Sequence, residues 1–145
     1  MRRVHRDVCH EDTIRMLTNG DFAVFKEIWR LLLFSAALGI KRGRRRKIEK
    51  SDPGKAFSET YFSSPGWKGF LYLISLVETG SSNCLRSSPD FQNDLITVFE
   101  EYANEGLHIL ERKLRTSNDL QEVFLDLLQN DKDAPARIPN VADLI

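Results

Sequence analysis

The segment from Phe22 to Leu38 constrains the fold of this chain more than any other part of the sequence. Its apolar residues are so dense that a helix formed here would be apolar around nearly its whole circumference. A helix of that kind is buried on most of its sides, so the other elements have to pack around it. The sequence therefore predicts a central helix over 22–38, with Gly39 as its C-cap.

The rest of the chain is also predicted to be helical. Apolar periodicity predicts five further helices, over residues 5–19, 53–62, 67–78, 89–115 and 119–130. Asp21 follows an Asn-Gly turn and is placed to cap the central helix, and Ser51 or Asp52 is placed to cap the helix that begins at Pro53. In the helix over 67–78 the residues predicted to be buried are Phe70, Leu71, Leu73, Ile74 and Val77.

The predicted fold class is therefore all-α, with five or six helices packed around the most apolar ones. At 145 residues the chain is large enough for one compact domain with a single core, which we place over residues 1–130. Residues 131–145 contain two prolines and no apolar periodicity, so they are predicted to form an extended or disordered tail.

The sequence has no feature of a membrane or secreted protein. No apolar run reaches the roughly 18 to 20 residues that span a bilayer, and residues 1–12 lack the apolar stretch of a signal peptide. Two cysteines, Cys9 and Cys84, are too few for a disulfide framework and suit a reducing compartment. We therefore expect a cytoplasmic protein that does not bind a membrane.

Charge is divided unevenly along the chain, although the formal net charge is zero. Residues 1–50 contain 13 Lys and Arg against 6 Asp and Glu, and residues 51–145 contain 8 against 15. The densest part of the positive half is KRGRRRKIEK, residues 41–50, which we call the basic segment. This division indicates either that the first third contacts an anion or that the two regions neutralise each other, within the monomer or between copies.

The basic segment is the predicted nucleic-acid contact, and residues 40–50 are expected to form a short hairpin or a loop. The segment has no aromatic residue on which single-stranded bases would stack. The central helix is too apolar to enter a major groove as the second helix of a helix-turn-helix does. We therefore expect contacts with DNA phosphates, weakened by salt, from Lys41, Arg42, Arg44, Arg45, Arg46, Lys47 and Lys50.

The helix over 89–115 has a second candidate site. Gly106 costs about 1 kcal/mol relative to Ala in a helix interior, so we expect another helix to approach closely at that position. A neighbouring face of the same helix is polar, and it is predicted either to bind a partner protein or to be a solvated surface over the helix crossing. Its polar residues recur at helical spacing and form what we call the polar helix face, which consists of Glu100, Glu101, Asn104, Glu105 and His108.

No metal site is predicted. His5, Cys9 and His10 lie close together in the sequence, but a zinc site needs three or four ligands in good geometry. The remaining nitrogen and sulfur candidates, Cys84 and His108, are distant in sequence, so we expect packed side chains instead of ligands.

Catalysis is not predicted either. A magnesium-dependent nuclease that uses Asp52 or Glu101 would be the third functional class, but such carboxylate sites are usually built on a β-sheet core, which this pattern does not offer. The sequence has no Gly-rich phosphate loop and no context for a catalytic triad. We expect a protein that is not an enzyme, with no catalytic residue and no cofactor.

Three stretches carry a resemblance to a known family: FKEIWRLLLFSAALGIKRGRRRKIE, GFLYLISLVETG and VFEEYANEGLHILERKL. Over roughly residues 22–115 the chain is similar to the family of Dnd system-associated protein 4, whose genes accompany bacterial DNA phosphorothioation and restriction clusters used in phage defence. The resemblance implies a cytosolic accessory subunit of such a system. It also implies that GIKRGRRRK is the contact with nucleic acid or a partner, and that EEYANEG belongs to the shared core.

Two main functions follow from these observations. The first is an accessory protein that contacts the DNA backbone through the basic segment and binds a larger partner of the defence system. The alternative is a protein adaptor or oligomerising subunit without direct DNA contact, whose basic segment meets an acidic surface, such as the C-terminal half of another copy. Direct binding of DNA by the purified protein separates the two.

Overall fold

The computed structural model describes residues 2–20, 23–58, 61, 67–85, 89–117 and 119–129. These residues form five α-helices: α1 (Glu11–Thr18), α2 (Ile28–Arg42), α3 (Trp67–Thr79), α4 (Pro89–Thr116) and α5 (Leu120–Gln129). Short 3-10 turns lie at Val8–His10, Pro53–Lys55 and Ser82–Leu85. The all-α prediction is confirmed. The proposed cap Asp21 and the tail over 131–145 lie outside the described residues.

The central helix is present, but its bounds differ from the prediction. It begins at Ile28 instead of Phe22, and residues 23–27 precede it without helical structure. It also continues past Gly39 and ends at Gly43, which adopts φ 67° and donates its backbone N–H to the carbonyls of Gly39 and Ile40. The left-handed conformation at the end of a helix favours glycine. Gly43 is therefore the C-cap, and the prediction of Gly39 for that role was wrong.

Gly39 has a different function, because α2 crosses α4 at this position. A Cβ atom at Gly39 would lie 2.9 Å from the carbonyl carbon of Tyr102, and one at Gly106 would lie 2.7 Å from Cα of Ser35. The close approach predicted for Gly106 is thus confirmed. Positions 35 and 39 of α2 meet positions 106 and 102 of α4, so the two helices run in opposite directions where they touch.

The core forms around this crossing. Fully buried side chains of α2 and α4, among them Leu31, Phe99 and Leu107, fill the space between the helices. The rings of Phe25, Phe34 and Phe124 lie with centroids 5.5–6.0 Å apart, which brings α5 against α2.

Helices α3, α4 and α5 end within one residue of their predicted bounds. In α3, Leu71 and Ile74 are buried and Phe70 and Val77 are partly buried, as the pattern indicated. Leu73 is half exposed, at 50% of its surface, so its predicted burial was wrong. Among the described residues, α3 packs mainly against α4 and the 3-10 turn at Ser82–Leu85, and Leu73 lies on a part of the helix surface that this packing leaves exposed.

The predicted first helix over 5–19 is shorter than expected. Residues 2–7 are not helical, and α1 begins only at Glu11 after a 3-10 turn. Asp7 holds this arrangement, since its carboxylate accepts hydrogen bonds from the backbone N–H groups of Cys9 (3.0 Å) and Glu49 (2.9 Å). The N-terminal residues therefore bind a distant part of the chain in place of their own helical turns.

The predicted helix over 53–62 is also wrong in the described residues. Asp52 caps a single 3-10 turn by accepting from the N–H of Gly54 at 2.9 Å, and the chain is then extended at Ala56 and Phe57. Phe57 exchanges two backbone hydrogen bonds with Val4, at 2.9 and 3.1 Å. This pairing joins two segments that are far apart in sequence. It uses the backbone N–H and carbonyl groups of Phe57 that would otherwise form the hydrogen bonds of a helix.

Candidate nucleic-acid interface

The basic segment is neither a hairpin nor a free loop. Its first two residues, Lys41 and Arg42, form the last turn of α2, where positive charge is favoured by the helix dipole. The residues after Gly43 leave the helix and lie along α4. The backbone N–H of Arg46 donates to the carbonyl of Glu101 at 3.0 Å, and the side-chain amide of Asn104 donates to the carbonyls of Arg46 and Lys47, both at 3.1 Å.

Two arginines of the basic segment form ion pairs with α3 and α4. Arg45 binds Glu78 at 2.9 Å and Glu101 at 2.6 Å, and Arg46 binds Glu105 at 2.8 Å. Partial burial alone would lower the pKa of Arg45, but hydrogen bonds to Glu101 and Glu78 raise it above its ordinary value. The ion pairs of both arginines therefore hold the basic segment against α3 and α4.

The N-terminal segment covers the other end of the polar helix face. Arg2 binds both carboxylate oxygens of Glu100, at 2.9 and 2.7 Å, and donates to the hydroxyl of Thr97 at 2.7 Å. The backbone N–H of His5 also donates to Glu100. Because a buried carboxylate requires such partners, Glu100 fastens the N-terminal segment to the middle of α4.

The structure thus brings the two predicted sites together. Within the polar helix face, Glu100, Glu101, Asn104 and Glu105 are buried by the chain itself, and His108 is half buried. Their burial leaves little of this face open to a partner protein. The sequence left open whether the opposite charges neutralise each other within the monomer. For Glu100, Glu101 and Glu105 they do, because each carboxylate pairs with an arginine of the same chain.

The other basic residues lie on the outside. Arg44, Lys47 and Lys50 are exposed, and within the described part of the chain their side chains make no hydrogen bond or ion pair. Lys41 is exposed as well, with its Nζ 3.5 Å from the carbonyl oxygen of Leu127. The predicted nucleic-acid contact therefore divides into two anchoring arginines and a set of outward-facing cations.

A family model described as DNA sulphur modification system-associated protein 4 matches residues 3–144. The chain belongs to this family. The resemblance noted from the sequence is thereby confirmed, and it extends over nearly the whole chain. The family description associates the protein with a DNA sulphur modification system and supports an accessory role there. Comparison with curated proteins and with solved structures gives no significant match.

In this family member the cationic surface extends beyond the basic segment. Arg42 lines a groove of about 320 Å³ together with Ile109, Arg112, Lys113 and Thr116 of α4. Lys113 is paired with Asp126 of α5 at 2.8 Å, whereas Arg112 is exposed. Both residues lie near the C-terminus of α4, where positive charge is favoured by the helix dipole. Their position beside Arg42 depends on the helix crossing and has no local signal.

Two of the residues that were considered as metal ligands, Cys9 and His10, have other surroundings in the structure. His10 is buried with its Nδ1 2.9 Å from a carboxylate oxygen of Glu111. Cys9 is exposed, so the expectation of a packed side chain was wrong at this position. Partial loss of solvation, followed by the hydrogen bond and charge of Asp7, raises the pKa of Cys9 to about 11, so this thiol stays protonated at neutral pH. Among the described residues no group of three or more His, Cys, Asp and Glu side chains is placed to hold a metal ion.

In the part of the chain that the structure describes, none of the helices combines the length and the apolar character that crossing a bilayer requires.

Proposed function

We propose that the protein is a non-enzymatic accessory subunit of a DNA sulphur modification system that contacts the DNA backbone through Arg44, Lys47 and Lys50. The observation that supports this most strongly is the division of the basic segment. Arg45 and Arg46 are bound to carboxylates of α3 and α4, while Arg44, Lys47 and Lys50 face outward without partners in the described residues.

The anchored backbone supports a specific role for these cations. Hydrogen bonds from Asn104 to the carbonyls of Arg46 and Lys47 hold the segment on α4, so less backbone freedom is lost when an anion binds. Preorganisation of this kind favours binding because the entropic cost is already met in the free protein. Lys41 and Arg42, in the last turn of α2, extend the same positive surface.

Binding to DNA would be sequence-independent and sensitive to salt. Each phosphate neutralised contributes about −0.9 to the slope of log K against log of the salt concentration. Three contacts from Arg44, Lys47 and Lys50 would contribute a slope of about −3. Base readout is not part of the proposal, because α2 is too apolar to enter a major groove as the second helix of a helix-turn-helix does.

Fluorescence anisotropy of the intact protein with a short labelled duplex, at two salt concentrations, tests the proposal. The variant Arg44→Ala/Lys47→Ala/Lys50→Ala is expected to lose most of its affinity. The matched control is Arg15→Ala/Lys26→Ala/Arg115→Ala, which removes the same number of charges from exposed positions elsewhere. Equal loss in both variants would mean that net charge alone drives binding and would contradict a site at the basic segment.

A protein adaptor is the second candidate, and one observation favours it. Leu125 and Leu128 of α5 are exposed at 45% and 64%, and exposed apolar surface of this kind is often used for protein contacts. No binding of any duplex by the intact protein would favour the adaptor and assign the exposed cations to an acidic protein surface.

A further inference from the structure

An aromatic pocket lies where the N-terminal segment, the start of α2 and the chain after Pro53 meet. Its volume is about 340 Å³, and its walls and rim are formed by Arg6, Glu27, Ile28, Trp29, Lys55, Phe57 and Tyr61. The ring of Tyr61 packs edge-on to that of Phe57, with centroids 5.9 Å apart and an interplanar angle of 74°. Three aromatic rings and an isoleucine thus enclose one concave space.

Two cations stand at the rim of the aromatic pocket and are held there by the fold. Arg6 binds Glu11 at 2.7 Å and donates to the carbonyl of Lys55 at 2.8 Å. Lys55 reaches the same carboxylate at 3.4 Å and keeps 42% of its side chain exposed. Lys55 therefore lines the aromatic pocket with a side chain that is partly open to solvent.

This combination fits one chemical class of ligand. A flat aromatic group would stack on the rings, and a negative group attached to it would meet Lys55. A nucleobase with its phosphate has both parts, and the volume is at the small end of the range for ligand pockets, about 300 to 1,000 Å³. Glu27 is oriented by a hydrogen bond from the indole N–H of Trp29 and adds an acceptor at the edge.

The aromatic pocket is continuous along the chain with the proposed DNA contact. Lys50 and Lys55 belong to one segment, which the N-terminal residues hold by a hydrogen bond from Val8 to the carbonyl of Lys50 (2.9 Å) and by the pairing of Asp7 with Ser51. The basic segment itself has no aromatic residue. Phe57 and Tyr61 follow it in the sequence, after Lys55, and line the aromatic pocket.

We propose that the aromatic pocket binds an unpaired nucleobase of a DNA strand whose backbone lies along Arg44, Lys47 and Lys50. This inference rests on the proposed function, because it requires that the basic segment contacts DNA. It extends that function from duplex phosphates to single-stranded or locally opened DNA, on which aromatic stacking gives affinity without sequence readout.

The test compares the intact protein with two variants, Tyr61→Ala and Tyr61→Phe. Tyr61 is 53% exposed, so its truncation opens no core cavity, and circular dichroism checks that the helices are retained. The probes are a labelled single-stranded 12-mer, about the site size of known single-strand binders, and the duplex of the same sequence. A second 12-mer with 2-aminopurine at its centre reports stacking directly through its fluorescence.

We expect Tyr61→Ala to weaken single-strand binding by roughly 10-fold, which is the usual contribution of one stacked base, and to leave duplex binding unchanged. Tyr61→Phe should retain the affinity, and the change in 2-aminopurine emission should occur with the intact protein and Tyr61→Phe only. Unchanged single-strand affinity in Tyr61→Ala, or an equal loss for duplex and single strand, would overturn the pocket while the phosphate contact stands. Failure of the intact protein to bind either probe would overturn the proposed function and this inference together.

Discussion

Gly106 of α4 lies directly against the backbone of Ser35 in α2, so close that a Cβ atom at Gly106 would be 2.7 Å from Cα of Ser35 and nearer still to its carbonyl group. Backbone atoms cannot move aside as the end of a flexible side chain can. The crossing that holds the centre of the fold therefore depends on the absence of a side chain at Gly106, as it does at Gly39.

We predict that Gly106→Ala destabilises the protein by about 3 kcal/mol, at the upper end of what overpacking costs, because the two helices would have to separate. The control is Gly69→Ala in α3, where an added Cβ meets nothing within 4 Å and the gain in helix propensity is up to about 1 kcal/mol. Urea unfolding followed by circular dichroism measures both. Equal stability of the two variants would contradict the crossing.

The division of the basic segment predicts different effects on stability for two arginines that are close in the sequence. Arg46→Ala leaves Glu105, which has 9% of its side chain exposed, without its ion-pair partner, and is expected to cost about 1 to 2 kcal/mol. Arg44→Ala removes an exposed side chain and should change stability by less than about 0.5 kcal/mol. Thermal unfolding checks the stabilities. If Arg44→Ala lost as much stability as Arg46→Ala, the assignment of Arg46 as an anchor and of Arg44 as an exposed cation would be refuted.

Stability is predicted to depend on the titration of His108. Burial first, and then the positive charge of Arg46, lower the pKa of His108 below its ordinary value of 6.5, with Glu105 acting in the opposite direction and His10 and Arg112 adding to the decrease. The unfolded chain therefore binds a proton at a higher pH than the folded chain. Stability should accordingly fall as the pH decreases through about 6.5.

His108→Gln isolates this contribution, because glutamine cannot titrate and the other ionisable groups are unchanged. We expect its melting temperature to fall less than that of the intact protein between pH 7.5 and pH 5.5. Parallel decreases in the two proteins would show that His108 does not contribute to the pH dependence.

Asp7 is predicted to stabilise the fold in its charged form. Burial alone would raise the pKa of Asp7, but hydrogen bonds from the backbone N–H groups of Cys9 and Glu49 hold it below the ordinary value of 3.8. The stabilisation is thus fully present above pH 3.8 and is lost as the pH falls through the lower pKa of the folded state.

At pH 7, Asp7→Ala should cost about 1 to 2 kcal/mol, as the loss of a cap and of a hydrogen-bond acceptor does. The matched control is Asp12→Ala in α1, whose side chain is 96% exposed and whose removal should change stability by less than about 0.5 kcal/mol. Urea unfolding at pH 7 compares the two. Similar stabilities would mean that the N-terminal segment is not held by Asp7.

The sequence predicted those parts of the fold that depend on local pattern. The bounds of α3, α4 and α5 follow from apolar periodicity, which acts within a few positions along the chain. The burial of α2 and the close approach at Gly106 could also be inferred, because a fully apolar helix and a glycine in a helix interior each have few physical explanations. Family membership was recognisable for a similar reason, since it is carried by stretches of contiguous residues.

Only the tertiary structure decided how the charged residues are used. In the sequence Arg44, Arg45, Arg46 and Lys47 are alike, and no local feature tells an anchor from an exposed cation. The distinction arises because Glu101 and Glu105 reach Arg45 and Arg46 across more than 50 residues of chain. The absence of the predicted helices at residues 5–10 and at the described residues 53–58 has the same cause, because pairing between Val4 and Phe57 replaces local hydrogen bonds with distant ones. Ion pairs, backbone pairing and the aromatic pocket all require residues that become neighbours only after the helices have packed, so their geometry is a property of the folded chain.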